Sequence, residues 1–267
     1  MTIQERVTLY QSQGFQADQA KAHAAADIIL LKIGSSKASS YVTIKGGMLL
    51  YNLTKNARRA TTDLDFDFIR YSLDDVSLKA FIRKLDSLHD GIHVFSEGKF
   101  QTLKHLDYQG KRVVLRLKDA SMELMIKLDI GVHTFSAIAQ SHLLFSCGSG
   151  NGGGVLLQVN PNEQIFVEKI VSLARLGPIS TRFKDIYDLY YLVSKGLLER
   201  AKTAEYLDLF LQSGHYPFQT KSDLYLRIED TLKNPIFSAD ARKPSNNWIS
   251  DSYEKVCSTL LDFLFDL

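Results

Sequence analysis

The sequence predicts an α+β protein: a small mixed sheet in its N-terminal part and a helical domain at its C-terminal end. Strict alternation of apolar and charged residues after Thr62, and a looser alternation from Glu123 to Ile130, mark half-buried strands. Apolar positions at helical spacing fill residues 3 to 33 and nearly everything beyond Asn160. One glycine-rich segment, Cys147 to Gly154, separates the two patterns, and the domain boundary is placed there, giving domains of 1–154 and 155–267.

In order, residues 3 to 33 read as two helices broken near Gly14 and Phe15 and ended by Gly34, Ser35 and Ser36. A short strand, Tyr41 to Ile44, leads through Lys45, Gly46 and Gly47 into a helix that begins at Met48. The strand after Thr62 sets Asp63, Asp65 and Asp67 on one face and Leu64, Phe66 and Phe68 on the other. A polar helix around Leu73 to Leu88 precedes strands at Arg112 to Leu117 and Glu123 to Ile130. The last of these turns Leu124, Ile126, Leu128 and Ile130 inward and Glu123, Lys127 and Asp129 outward. The sequence Cys147 to Gly154 lacks the terminal Gly-Lys-Ser/Thr of a phosphate-binding loop and reads as a flexible loop. Asn160, Pro161 and Glu163 form a helix start, with Asn160 as the cap and Glu163 reaching back to it. That helix runs to about Leu176, and others cover Phe183 to Ser194 and roughly 197–213, 221–233 and 247–266.

Composition excludes several classes. Of the 267 residues, 45% are hydrophobic, enough for a substantial core, so global disorder is excluded. The 32 basic and 30 acidic residues leave a formal charge of +2, so any binding patch is local. Cys147 and Cys257 stand far apart without metal-ligand spacing, which argues against a zinc ribbon or disulfide framework and suits a reducing cytoplasm. Neither a signal peptide nor an apolar stretch of the roughly 20 residues needed to span a bilayer is read, so no membrane association is expected.

The chemistry concentrates in the acids. Asp63 and Asp65, two apart on one strand face, with Asp129 from another strand, suit hard, octahedral Mg²⁺, which takes a few carboxylates and keeps water and substrate phosphate. Standing alone, an Asp-x-Asp on a strand is usually a solvated surface. Gly46-Gly47 at a strand-to-helix turn adds a place where phosphate can approach the backbone at a helix N-terminus.

The run Lys45-Gly46-Gly47-Met48-Leu49-Leu50 followed by Arg59-Ala60-Thr61-Thr62-Asp63-Leu64-Asp65-Phe66 resembles the opening of the AbiEii/AbiGii-type nucleotidyltransferase toxins, a branch of the polymerase-beta-like nucleotidyltransferase superfamily. The resemblance extends through Ile126-Lys127-Leu128-Asp129-Ile130, Glu168-Lys169 and Arg182-Phe183-Lys184-Asp185-Ile186-Tyr187-Asp188-Leu189, covering about residues 40 to 195. It implies a polymerase-beta-like domain and a helical domain closing the active-site cleft. It also implies that Asp63, Asp65 and Asp129 hold Mg²⁺, with Asp129 helping to deprotonate the acceptor, and that Lys169 grips the triphosphate of a bound NTP. Lys45, Gly46 and Gly47 fall on the nucleotide-binding side of that scheme, and Arg182, Lys184 and Asp185 contact phosphate or position Lys169. The implied reaction is transfer of a nucleoside monophosphate to an acceptor hydroxyl, with RNA, a tRNA 3′ end, as the acceptor and a cognate antitoxin as partner.

Plainer readings stand beside these. Lys169 fits a surface lysine on an amphipathic helix, Lys184 and Asp188 a local salt bridge, and Arg59 a structural counter-charge to the acidic strand. Lys99, Lys104, Lys111, Arg112, Arg116 and Lys118, interleaved with Phe100, His105 and Tyr108, read as either a soluble hairpin or an RNA-facing surface. Tyr187, Tyr190 and Tyr191 read as bundle core. Competing functions are nucleotidyl transfer to a protein or small molecule, and a non-catalytic nucleotide-binding module.

Overall fold

A computed structural model describes residues 1–104, 109–147 and 154–267. The glycine-rich loop expected at Cys147 to Gly154 therefore lies, from residue 148 to 153, outside the described residues, as do His105 and Tyr108. The fold is mixed α+β, and the chain divides into two compact units, Met1–Asn160 and Pro161–Leu267.

Among the described residues, the first unit holds seven strands: β1 (Val42–Lys45), β2 (Asp63–Phe68), β3 (His93–Lys104), β4 (Gln109–Lys118), β5 (Glu123–Val132), β6 (Ser141–Phe145) and β7 (Val155–Val159). They form one sheet in the order β3-β4-β5-β2-β1-β7-β6. The β2–β5 and β1–β7 pairings are parallel and the other four antiparallel, so the sheet is mixed. The division thus comes at Asn160, six residues beyond the expected 154, because β7 joins the sheet beside β1.

Four helices complete this unit: α1 (Ile3–Ser12), α2 (Ala17–Gly34), α3 (Gly46–Thr54) and α4 (Asp75–Asp86). α2 is apolar almost all round, as expected of a helix wedged between layers. It packs on β2, β5 and β7, while α4 packs on β3. Phe81 of α4 lies 5.8 Å from Phe66 and 5.1 Å from Phe68, ring centre to ring centre. Burying each such ring contributes about 1.5–3 kcal/mol. One sheet face is thereby consumed by the core, and the acids of β2 and β5 occupy the other.

The second unit is helical: α5 (Asn162–Leu176), α6 (Phe183–Ser194), α7 (Arg200–Gln212), α8 (Lys221–Lys233), α9 (Pro235–Ala241) and α10 (Tyr253–Phe265). α5 packs on α6, α7 and α8, and α10 on α6 and α8. Tyr187 and Tyr190 are buried in this core. The expected cap differs: Pro161 is the N-cap of α5, and the Asn160 side chain instead accepts from Thr43 Oγ1 at 2.9 Å. Glu163 accepts from the Glu199 backbone N–H at 3.1 Å, which ties α5 to the start of α7. No helix among the described residues is long and apolar enough to cross a membrane.

Candidate active site

Strand register assembles the site. Lys45 on β1 is the partner of Asp65 on β2, Asp65 is the partner of Asp129 on β5, and Asp129 is the partner of Arg112 on β4. Directly opposed residues point to the same side of a sheet. Four neighbouring strands therefore present one row ordered cation, anion, anion, cation. Asp63, two residues before Asp65, joins the same face opposite Lys127.

The two ends of the row are held differently. Arg112 donates from Nε to Asp129 Oδ1 and from Nη2 to Oδ2, each at 2.7 Å, a bidentate pair. Lys45 Nζ lies 2.6 Å from Oδ1 of the buried Asp67, the third acid of β2. In the middle, Asp65 is desolvated and repelled by Asp129 and Asp63, and these effects outweigh Lys45 and the Gly47 N–H to raise its pKa. The field of the acids, its bond to Asp129 above all, raises the pKa of Arg112 and keeps it charged.

The glycines are a geometric requirement. Gly46 adopts φ +68°, a left-handed conformation disfavoured for residues with a Cβ. A Cβ there would lie 2.1 Å from Asp65 Oδ2, and one at Gly47 would lie 2.8 Å from Thr61 Oγ1. Both positions open α3, and the Gly47 N–H bonds to Asp65. The strand acid thus sits against the helix N-terminus, where unpaired N–H groups favour anions. Arg59 is buried in the short turn Ala57–Arg59 that precedes β2.

A second charged group forms inside the helical unit. Lys169 of α5 is buried and shared by two acids of α6, bonding Asp185 Oδ1 and approaching Asp188 Oδ2 at 3.0 Å. Arg182 Nε donates to Asp185 Oδ2 at 2.6 Å and Nη1 to Ser172 Oγ at 3.2 Å, while half of its side chain is exposed. Trp248 Nε1 donates to Asp188 Oδ1 at 3.1 Å. Lys169 is therefore no surface lysine, and Asp188, fully buried, is shared by Lys169 and Trp248.

Sequence reasoning missed Arg112 as a site residue, reading it in a hairpin that is either merely soluble or RNA-facing, placed Asp67 on the acidic face without a role, and passed over Trp248. The signal for Arg112 was a basic residue on the outward face of a strand next to an acidic one, which alternation alone does not pair. No three His, Cys, Asp or Glu side chains among the described residues converge as a ready-made metal cage. The donor set nevertheless suits Mg²⁺, because that ion needs only one or two carboxylates when water and substrate phosphates supply the rest. Each Asp129 oxygen also keeps a second lone pair beyond the one given to Arg112.

Acids in a row across a mixed sheet, set against a glycine turn that opens a helix, mark the chain as a nucleotidyltransferase, and the family comparison agrees. The family model for the nucleotidyl transferase AbiEii toxin of type IV toxin–antitoxin systems matches residues 28–256, and the chain belongs to this family. Among solved structures, JHP933 from Helicobacter pylori aligns with a TM-score of 0.48 at 13% identity, over 94% of this chain and 92% of its own. An antigenic nucleotidyltransferase-like protein from Paracoccidioides brasiliensis aligns with a TM-score of 0.42 at 15% identity, over 79% and 93% respectively. Comparison with curated proteins finds no match.

Proposed function

We propose that this nucleotidyltransferase toxin moves a nucleoside monophosphate from an NTP to a hydroxyl of RNA, with a tRNA 3′ end as the acceptor to test first. The acceptor oxygen bonds to the α-phosphorus, the α–β bridging bond breaks, pyrophosphate leaves and the acceptor proton is lost to a base. The row Lys45–Asp65–Asp129–Arg112 carries this reading, because it fixes a carboxylate pair between two cations beside a helix N-terminus.

Asp63 and Asp65, with Asp129 beside them, are the residues that would hold Mg²⁺. When bound, the ion supplies charge neutralisation for the triphosphate and lowers the pKa of an attacking hydroxyl. The N-terminus of α3, opened by Gly46 and Gly47, offers phosphate a favourable dipole, and Lys45 adds a cation at the same turn. Arg112 orients Asp129. In the helical unit, half-exposed Arg182 is the better phosphate ligand, and buried Lys169, shared between Asp185 and Asp188, serves as its anchor. Family membership supports a cognate antitoxin, and the reading carries with it a cytoplasmic site of action.

The test is incubation of the protein with each α-³²P-labelled NTP, Mg²⁺ and total bacterial RNA, beside Asp63→Asn/Asp65→Asn. Label in RNA that requires both acids and Mg²⁺ supports the proposal and identifies the base. Label in protein or in a small molecule alone would replace the acceptor, and absence of label together with absence of Mg²⁺-dependent NTP binding would remove the reaction.

A further inference from the structure

The N-terminal unit holds a partly open cavity of about 410 Å³, within the range of small-molecule sites. α1, α2, α3 and the segment after β6 surround it. The lining is about equally polar and apolar, with Phe15, Leu30, Met48 and Phe145 among its apolar residues, and two opposite charges share it: Asp27 of α2 and Lys55 just after α3.

Among the described residues neither charge is in direct ion-pair contact, and Asp27 attracts Arg6 and Lys55 only at longer range. Asp27 is buried, and its side chain accepts only from Tyr10 Oη, at 2.7 Å on Oδ2. Lys55 Nζ donates to Asn52 Oδ1 at 2.5 Å and Ser146 Oγ at 3.0 Å, both neutral, so one of its three protons is uncommitted. Withdrawal from water raises the pKa of Asp27 to about 7 and lowers that of Lys55, and it outweighs the longer-range attraction of Arg6 and Lys55 for Asp27 and of Asp27 for Lys55. His23, packed 4.3 Å from Tyr51, is buried, and burial lowers its pKa to about 4, so it supplies no cation to Asp27 at neutral pH.

We propose that this cavity binds a small aminocarboxylate zwitterion with an apolar body, its ammonium group meeting Asp27 and its carboxylate meeting Lys55. A simple cation would place a positive charge beside Lys55, and a simple anion would face Asp27 in low dielectric. An uncharged apolar ligand would dry the cavity around two opposite charges that have no ion-pair partner in contact. Only a ligand bearing both charges meets both ends, and Phe15, Leu30, Met48 and Phe145 take its apolar body. The site is separate from the carboxylate row and does not depend on the proposed reaction.

Isothermal titration calorimetry on the full chain tests this with L-leucine, L-methionine and 5-aminovalerate, which vary the spacing of the two charges. Isoamylamine and 4-methylpentanoate serve as single-charge analogues. Saturable binding of at least one zwitterion is expected, with both single-charge analogues weaker by about tenfold or more, the equivalent of losing about 1.4 kcal/mol. Asp27→Asn, which keeps an acceptor for Tyr10, and Lys55→Met should each weaken the zwitterion by a similar factor. Absence of saturation by every zwitterion at millimolar concentration, or equal binding of a single-charge analogue, overturns the proposal. If a variant fails to fold, the analogue series on the unmodified protein decides alone.

Discussion

Arg112 and Asp129 face each other on neighbouring strands and are joined by two parallel hydrogen bonds of 2.7 Å, Nε to Oδ1 and Nη2 to Oδ2. The pair sets the orientation of the outermost acid in the row and supplies the positive charge on that side. It explains how Asp65 and Asp129 coexist as register partners, since like charges placed opposite each other on a sheet repel.

Arg112→Met should therefore make the fold more dependent on divalent cations. Charge-assisted hydrogen bonds contribute about 1.5–3 kcal/mol, but Arg112 is about one-third exposed, which brings the expected loss to roughly 1 kcal/mol. Thermal denaturation with and without MgCl₂ measures it. Mg²⁺ should raise the Tm of Arg112→Met more than that of the unmodified protein, and equal shifts would show that Arg112 is not a counter-charge to the acid row.

Gly46→Ala should be far more damaging than Gly47→Ala. Its Cβ collides with Asp65 while the backbone holds φ +68°, whereas at Gly47 the obstacle is the Thr61 side chain. Strain of this kind costs about 1–3 kcal/mol, and displacing a reacting group by 1 Å costs about 10²-fold in rate. Urea unfolding and nucleotide transfer, measured on both variants, give the two numbers; similar values for both would contradict the collision with Asp65.

Lys169→Met removes the ammonium that lies 3.0 Å from the fully buried Asp188. Breaking one side of a buried ion pair costs about 3–5 kcal/mol. Adding Asp188→Asn, which keeps an acceptor for Trp248, should recover at least ~1 kcal/mol of that loss in a double-mutant cycle. Strict additivity of the two substitutions would rule out the coupling.

Asp27 gives the chain a specific pH profile. Its carboxyl ionises near 3.8 when unfolded and near 7 in the fold, so its contribution is complete below about pH 4 and is lost as pH rises through 7. The groups around it are Tyr10 and Arg6 on α1, Tyr51 on α3, Lys55 and Cys147. His23 acts in the opposite sense: its pKa falls from 6.5 to about 4 on folding, so its contribution is lost as pH falls through that window. Subtracting the stability profile of Asp27→Asn from that of the unmodified protein cancels His23. The difference should fall with pH between 4 and 7, by at most about 1.4 kcal/mol per unit. A flat difference would mean that Asp27 ionises normally.

Much of this architecture was legible in residue order. Alternation placed β2 and β5 because one face of each is consumed by the core, and the break at Gly14 separated α1 from α2 as read. β3 escaped because a register shift between Glu97 and Gln101, beside Gly98 at φ +70°, interrupts its period. β6 and β7 are five-residue strands on either side of the glycine-rich segment, and Leu144 and Leu156 opposite each other are exposed, so burial periodicity does not mark them. Among the charged residues, the outward faces of Asp65, Asp129 and Arg112 follow from alternation. Their alignment in one row does not, because register between strands distant in sequence is set by tertiary pairing. Lys169 was misjudged as a possible surface residue because the two acids that receive it lie on the next helix.

Asp65 and Asp129 meet through the parallel pairing of β2 with β5, and all of α4 and the β3–β4 hairpin is strung between them. During synthesis, Asp63 and Asp65 leave the ribosome well before Asp129, at roughly 5–20 residues per second. β1 also waits for β7, made later still, before it gains its second neighbour. A nascent chain thus carries two of the three acids for seconds without the third strand that aligns them. The order of emergence therefore means that the acid row forms only after β5 has been made.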